Sequence, residues 1–405
     1  MLTKLKNLGP GLLFAGAAIG VSHLVQSTRS GADFGLGLLW ALLLVHLFKY
    51  PFFQFGPRYA TATGESLLAG YKKLGKSILV IYFILNLATI FTIQTAVTIV
   101  TAGLASILFG DFISIDIWTA VITLSCLILL IIGRYKLLDR LMKFIVIILS
   151  ISTSIAVCIA LFNHNAPISL KQILPENKLQ IAFLIAFMGW MPAPLDVSVW
   201  QSLWTVEKNK DTQRYNTKSA MFDFNVGYLG TIFLGIGFVL LGTLVMYHSG
   251  ETFSNSAGVF SKQLINMYTS NLGYWAYYVI GIAAFTTMFS TTLTSLDASP
   301  RAMEKTIQLL FNKPAMFGSY NFWVVLLSIG TMGIFIFLAS EMGILIEIAT
   351  ILSFITAPFY AIINYKLISS QHTPEAYRPS KTMHVLSLLG IAFLLSFSFW
   401  YLSYL

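Results

Sequence analysis

Charge and cysteine are both scarce in this sequence. Asp, Glu, Lys and Arg make up only 10% of its 405 residues and hydrophobic residues 57%, and the mean hydropathy is +0.77. A soluble domain carries about 25% charged residues, so this composition predicts an integral membrane protein in contact with the lipid bilayer. The two cysteines, Cys126 and Cys158, lie in apolar runs. They are typical of small buried side chains and not of a disulfide framework or a metal cluster.

Catalytic motifs are missing as well. The sequence has no Gly-rich phosphate loop, no zinc-ligand spacing and no Ser-His-Asp arrangement, so we expect neither an enzyme nor a bound cofactor. The net charge of +9 does not indicate a nucleic-acid partner, because cytoplasmic loops of membrane proteins carry an excess of Lys and Arg. The first apolar run begins at Gly11 and lacks a cleavage site, so no cleavable signal peptide is expected.

Eleven apolar runs are long enough to cross a bilayer, which takes about 20 residues. We therefore predict an all-α fold of eleven transmembrane helices in a single domain, residues 1–405. The runs comprise residues 11–32, 36–56, 78–109, 113–132, 138–162, 181–204, 222–247, 274–296, 319–339, 342–368 and 383–404.

Lys and Arg are distributed unevenly between the predicted loops. With the N-terminus inside, the inside segments hold twenty of these residues and the outside segments hold four. Such a bias is typical of cytoplasmic loops, so we expect the N-terminus inside and, after eleven spans, the C-terminus outside. Lys49 belongs to neither group, because it lies within the second span.

Two prolines interrupt the sixth apolar run, within the segment Met188–Asp196. Pro192 and Pro194 each lack a backbone N–H and clash with the preceding helical turn, and Ala193 is pushed out of helical geometry by the proline that follows it. A break at membrane depth is tolerated only inside protein or beside a water-filled cavity. Secondary transporters bind substrate at such breaks; a proline kink without a ligand is the alternative.

The first span contains a similar candidate break at Gly20, next to the polar residues Ser22 and His23. Because it lies five spans before the other break, we predict two inverted five-helix repeats, about 11–162 and 181–368, and an extra helix at about 383–404. The second half-helices would start near His23 and Leu195. Their N-terminal ends carry partial positive charge and would attract a carboxylate or another anion.

Several motifs resemble those of the Nramp transporters. The runs Gly9–Leu13, Gly31–Gly35 and Leu39–Leu43 resemble the start of that family, Thr63–Leu67 resembles the end of its second helix, and Met191-Pro192 resembles the start of its sixth-helix Met-Pro-His motif. The resemblance implies a LeuT-type fold with helices one and six broken, in the bacterial inner membrane. It also implies a symporter of divalent metal cations, usually coupled to protons.

The functional residues of that family are only partly kept. Its first-helix Asp-Pro-Gly-Asn corresponds to Gly20, Val21, Ser22 and His23, and its sixth-helix His corresponds to Ala193, whereas the Met ligand is kept as Met191. Its third-helix acidic pair, used for proton movement, corresponds to Gln94 and Val97.

His23 and Met191 are the side chains expected to hold a metal ion, but neither is charged. A divalent ion that leaves water needs anionic or strong neutral donors. Asp196 is the nearest acid; it could bind a substrate amine, hold a cation, titrate, or cap the resumed helix. The predicted substrate site consists of Gly20, Ser22, His23, Met188, Met191, Ala193 and Asp196.

The eighth span carries seven hydroxyl side chains between Thr286 and Ser295. Hydroxyls can join membrane helices. Alternatively, a sodium ion could lie between Ser290, Thr291 or Thr294 and the first-helix carbonyls of Ala17, Ala18 and Gly20. Na+ or H+ is therefore the expected coupling ion, with Gln94, Ala17 and the three hydroxyls on its path.

Three functions stay open at this point. The chain could be a secondary active transporter of a divalent metal cation, with an atypical site, or a cation-coupled transporter of a small polar organic solute. It could also be a membrane scaffold or sensor that transports nothing and has no solvent-accessible central cavity. In each case we expect a monomer.

Overall fold

The structure is a computed structural model that describes residues 8–110, 112–164, 167–211, 216–247, 253–254, 256–274, 276–311, 319–338 and 342–404. Within those ranges every regular element is a helix, as the composition predicts. Four of the basic residues used to predict the orientation, Lys4, Lys6, Arg214 and Lys313, lie outside the described residues.

The first apolar run forms α1 (Pro10–Ala18), a π-helix (Ser22–Ser27) and α2 (Thr28–Phe34). The remaining helices follow in chain order: α3 (Leu39–Thr63), α4 (Leu67–Leu74), α5 (Lys76–Phe109), α6 (Ile115–Asn163), α7 (Lys178–Trp190), α8 (Val197–Asp211), α9 (Thr217–Val245), α10 (Ala257–Leu272), α11 (Ala276–Phe311), α12 (Tyr320–Leu338), α13 (Met342–Ile368), a 3-10 turn (Glu375–Tyr377) and α14 (Lys381–Leu402).

Seven helical segments of the described chain are long and apolar enough to cross a membrane. The pair Pro10–Ala18 and Ser22–Phe34, bent by 47° at its break, would make an eighth span. These segments confirm an integral membrane protein. The short apolar helix α7 is one half of the broken sixth run, because α8 resumes only at Val197. The total of eleven spans, the repeat boundaries and the positions of the termini stay predictions.

The fourth and fifth predicted spans share one helix. α6 runs from Ile115 to Asn163 over 49 residues, so helix replaces the loop expected between residues 132 and 138. The connecting residues contain no proline and are rich in Leu, Lys and Arg, which favour helix over loop. Similarly, α11 continues through Pro300 to Phe311, well past the predicted end at residue 296.

The N-terminus of α1 is held by a buried carboxylate from α9. Asp223 is 1% exposed, and its two oxygens accept hydrogen bonds from the backbone N–H groups of Gly9 at 3.1 Å and Gly11 at 2.8 Å. The first N–H groups of a helix have no partner within the helix and carry partial positive charge. Asp223 therefore fixes the start of α1 and, with it, the depth of the break that follows.

We expect Asp223→Asn to destabilise the protein by about 1–3 kcal/mol, because one charged acceptor becomes an N–H2 group facing a backbone donor. Thermal unfolding of the purified protein in detergent measures the effect. The exposed residue Glu375 provides a matched control, since Glu375→Gln removes a carboxylate charge at the surface. Equal melting temperatures for the two variants would contradict the anchoring role of Asp223.

Candidate functional site

The first helix breaks where the sequence predicts it. α1 ends at Ala18, Ile19 and Gly20 are not helical, and the chain returns to helix at Val21, directly before the π-helix. Gly20 lies in the break against α11: a Cβ atom there would stand 2.7 Å from both Cγ2 and Oγ1 of Thr291. Glycine is required at this position because a side chain would push Thr291 away from the first helix.

His23 is fully buried beside the first break and turns toward backbone carbonyls. Its Nδ1 lies 3.0 Å from the Ala18 oxygen and 2.8 Å from Ser22 Oγ, and its Nε2 lies 3.0 Å from the Thr231 oxygen of α9. Both ring nitrogens thus lie within hydrogen-bond distance of protein oxygens. To bind a metal ion, the ring would have to give up one of these contacts.

The sixth helix also breaks as predicted. α7 ends at Trp190 and α8 begins at Val197, leaving Met191–Asp196 without helical structure, with a cis peptide bond between Met191 and Pro192. Met191 is fully buried, and its sulfur lies 4.0 Å from Ser27 Oγ of the π-helix. The two broken helices therefore meet at their interrupted segments.

A lysine lies at the end of α7. Lys49 of α3 is 0% exposed, and its ammonium donates to the carbonyl oxygens of Met188 at 2.8 Å, Gly189 at 2.7 Å and Ala193 at 3.3 Å. The sequence prediction passed over this residue, although a single Lys inside an apolar span is a signal of function or of a specific partner.

The helix that leaves the sixth-helix break carries buried polar groups along one face. In the described part of the chain, polar atoms at positions 196, 200, 201, 204 and 205 lack a well-aligned hydrogen bond; they belong to Asp196, Trp200, Gln201, Trp204 and Thr205. Asp196, Trp200 and Trp204 are four residues apart and lie along one side of α8, and Gln201 and Thr205, also four residues apart, form a second row beside it. The donors nearest to the Asp196 carboxylate are its own N–H and that of Val197, which is the position of a helix cap.

A polar cluster holds α8 against its neighbours. The Asn364 side chain of α13 donates to Ser198 Oγ at 2.9 Å and to the Phe52 oxygen of α3 at 3.2 Å, and its oxygen accepts from the Tyr71 hydroxyl of α4. Buried polar groups are costly unless they are bonded. This fully bonded cluster fixes α8 at its N-terminal end, where it adjoins the break.

A central cavity of about 30 Å³ lies between the two breaks. Two indoles, of Trp190 and Trp200, form part of its wall. Apolar residues and three hydroxyls supply the rest; the full lining is Ala17, Ala18, Val21, Ser22, Ile93, Val97, Trp190, Ala193, Pro194, Val197, Trp200, Thr291 and Ser295. As far as the structure describes the chain, this lining contains no carboxylate, imidazole, thiol or thioether.

Two larger depressions flank the central cavity. One, of about 490 Å³, is lined by α4, α8 and α11 and includes Trp204; the other, of about 260 Å³, lies among α2, α7 and α13 and includes Ala186. The rings of Trp200 and Trp204, with centroids 6.3 Å apart, lie between the first depression and the cavity. Trp190, which donates to Ser353 Oγ at 2.9 Å, lies one turn beyond Ala186, toward the cavity.

The predicted site residues fall into two groups. Ala17, Ser22, Ala193 and Thr291 line the central cavity. The other predicted residues do not line it; they are Gly20, His23, Met188, Met191, Asp196, Gln94, Ser290 and Thr294. Among the described residues no three His, Cys, Asp or Glu side chains converge as a metal site would require. The roles assigned to both groups stay predictions.

The hydroxyl run on α11 mostly serves helix packing. Thr287 and Ser290 donate to carbonyls of their own helix, and Thr292 bonds to Thr101 and Val97 of α5. Gln94, also on α5, donates to the Thr292 oxygen. The Thr291 hydroxyl contacts its own helix at the Thr287 oxygen, at 3.2 Å, but it also reaches the first-helix carbonyls of Gly16 at 3.1 Å and Ile19 at 3.5 Å.

Comparison with known proteins identifies relatives of this chain. The chain matches the sequence model of the family Nramp, natural resistance-associated macrophage protein-like, over residues 11–403. It is 35% identical over 401 residues to a protein of Pasteurella multocida described as uncharacterised, covering 98% of this chain and 92% of that protein.

Solved transporter structures share the fold. A variant of the manganese transporter of Eremococcus coleocola superposes with a TM-score of 0.74 at 14% identity, covering 96% of this chain and 84% of that one. MhsT in complex with L-phenylalanine gives 0.68 at 13% identity, covering 96% and 98%. A nucleobase-cation-symport-1 family transporter with bromovinylhydantoin bound gives 0.61 at 14% identity, covering 97% and 92%. At these identities the likeness shows a LeuT-like fold.

Proposed function

This chain belongs to the Nramp family and is a secondary transporter, and we propose that its cargo is a small polar organic solute. The observation that carries the proposal is the lining of the central cavity, which offers two indoles and three hydroxyls but, among the described residues, no anionic or soft ligand. Divalent cations such as Mn²⁺ prefer carboxylate, carbonyl and water ligands, and soft ions prefer thiolate or thioether. A lining of apolar residues with a few polar groups is instead typical of a site for an organic molecule. At about 30 Å³ the cavity is narrow in this conformation and would have to widen to admit one.

The backbone around the cavity supports an anionic group on that solute. The π-helix and α8 both begin at the breaks, at Ser22 and Val197, and both residues line the cavity. Helix N-termini carry partial positive charge, which favours a carboxylate. The fold itself carries organic molecules, as the complex with L-phenylalanine and the complex with bromovinylhydantoin illustrate.

The two flanking depressions support transport by alternating access. The central cavity is separated from one depression by Trp200 and Trp204 and from the other by the region of Trp190. Movement of α8 or α7 at its break would open one side at a time. A scaffold without a central cavity, the third function considered from the sequence, is not supported.

A divalent metal cation is the second candidate. The comparisons favour this cargo over an organic solute, through the family match and the structurally similar manganese transporter, and Met191 keeps the position of the family's thioether. In this protein, however, the Met191 sulfur faces Ser27, and both His23 nitrogens face carbonyls. A metal ion bound here would depend largely on backbone oxygens and retained water.

A stabilisation screen separates the two candidates. We expect an amino acid or another small carboxylate to raise the melting temperature of the purified protein, because a ligand that binds only the folded state stabilises it. MnCl2 and CdCl2 should produce neither a shift nor calorimetric binding heat. Metal binding in the wild type that is lost in Met191→Ala would contradict the solute proposal and support the metal cation.

Sodium is the coupling ion that the geometry supports best. Thr291 Oγ1 and the carbonyl oxygens of Gly16 and Ile19 approach one another at the C-terminal end of α1. Carbonyl and hydroxyl oxygens are hard neutral ligands, and the end of a helix carries partial negative charge. The carbonyls that lie beside Thr291 are those of Gly16 and Ile19, whereas the sequence led us to expect those of Ala17, Ala18 and Gly20. Proton coupling is the alternative.

A further inference from the structure

At the C-terminal end of α7, the sequence itself leaves backbone carbonyl oxygens without a hydrogen-bond donor. In a helix the carbonyl of residue 188 would accept from the N–H of residue 192, but Pro192 has none. The helix ends at Trp190, so the Gly189 carbonyl lacks a helical partner too. These two oxygens and that of Ala193 converge on one point, where the helix end also contributes partial negative charge.

The ammonium group of Lys49, from the same chain, occupies that point. The Lys49 ammonium has three N–H donors and meets three carbonyl oxygens, at 2.8, 2.7 and 3.3 Å. The whole side chain is 0% exposed, a position that lysine almost never takes without a partner. The buried Asp196 carboxylate lies close enough to attract it.

We propose that Lys49 is a tethered cation, which fills at the sixth-helix break a site that would otherwise bind a free monovalent cation. The ammonium satisfies carbonyls that the proline leaves unpaired, and its charge offsets both the helix end and Asp196. In keeping with the proposed organic cargo, a fixed positive charge at this break repels a divalent ion. The inference itself rests on contacts within the protein and does not depend on that cargo.

Removal of the side chain should create a site for a free cation. Lys49→Ala deletes three carbons and the ammonium, a group that corresponds to n-propylammonium. We expect the variant to melt well below the wild type and to be stabilised by n-propylammonium chloride, with methylammonium and n-hexylammonium less effective at equal concentration. Neutral n-propanol should not rescue it, and n-propylammonium should leave the wild type unchanged.

Lys49→Met provides the matched control, because methionine is an unbranched side chain only one atom shorter than lysine but supplies no charge and no donor. We expect a clear loss of correctly folded protein, measured as the monodisperse fraction in size exclusion, and no rescue by n-propylammonium. Wild-type behaviour of Lys49→Met would overturn the proposal. Equal rescue of Lys49→Ala by n-propanol and by n-propylammonium would overturn it too.

A third variant keeps the test decisive if Lys49→Ala yields no folded protein. Lys49→Met/Asp196→Asn removes both buried charges, and charges in contact show coupled effects. We expect the double variant to recover part of the fold lost in Lys49→Met, since a lone buried carboxylate is more costly than none. No recovery would contradict the compensating role of Lys49. These stability readings involve no cargo, so their failure would leave the solute screen unaffected.

Discussion

Ala17→Leu should abolish uptake while the protein still folds. Ala17 is the one residue of α1 that is not fully buried, and it lines the central cavity. The three carbons that leucine adds would extend into the cavity, into space that the cargo needs. At a well-packed position the same three carbons would instead lower the stability of the protein by about 1–3 kcal/mol. We expect uptake to fall at least tenfold, and the stabilisation by the solute found in the screen to disappear.

The control for this substitution lies on the outside of the protein. Ala88 is exposed on α5 and faces away from the cavity, so Ala88→Leu makes the same chemical change toward lipid. Its uptake should stay within about twofold of the wild type, as surface substitutions usually alter stability by no more than about 0.5 kcal/mol. Normal uptake by Ala17→Leu would place the cargo elsewhere.

Thr291→Val should remove the response to sodium. In the wild type we expect a higher melting temperature in NaCl than in choline chloride of the same concentration, because a bound ion stabilises the folded state. Valine keeps the shape of threonine but replaces the hydroxyl beside the Gly16 and Ile19 carbonyls with a methyl group. Sodium affinity should fall at least tenfold, which corresponds to about 1.4 kcal/mol.

Thr287 supplies the matched position, one helical turn earlier on α11. Its hydroxyl donates to the Ala283 oxygen of the same helix at 2.7 Å and does not reach α1, so Thr287→Val should keep the sodium response. No difference between NaCl and choline in the wild type would end the sodium proposal and favour proton coupling. If sodium is the coupling ion, uptake by the wild type should also collapse when choline replaces sodium.

The breaks could be predicted because proline and glycine act locally. Pro192 and Pro194 remove backbone donors wherever they stand in a helix, and Gly20 among apolar residues marks a position without a side chain. The family motif at the end of α3 has an equally local cause, since Gly64 has a φ of 73°, a left-handed conformation that glycine adopts readily at the end of a helix.

The partners of the site could not be predicted, because they depend on which helices meet. Lys49 is 139 residues from Met188, and Asp223 is 212 residues from Gly11. Without the packing of α3 on the sixth-helix break, Lys49 is only a charge in an apolar run. His23 shows the converse: its match to the family's first-helix motif implied a ligand, a role that stays a prediction, while the contact of its ring with the Thr231 carbonyl of α9 could not be read from the sequence.

Helix ends governed by charge were the least predictable. The basic residues between the fourth and fifth spans indicated a loop, yet α6 continues through them. Charge sets the orientation of loops in a membrane, but it does not end a helix as proline or glycine does. The same reason explains why α11 extends past Asp297, which pairs with Arg301 at 2.7 Å one turn later, inside the helix.

The most direct measurement is cysteine labelling at the first break, in a protein carrying Cys126→Ala and Cys158→Ala. Ala17→Cys lines the cavity, whereas Ala15→Cys, two residues away, is fully buried and does not. A small charged methanethiosulfonate reagent should modify the thiol at position 17 but not the one at position 15, and bound solute should slow the reaction. If neither thiol reacts, the two broken helices enclose no accessible cavity, and cargo cannot be held between them.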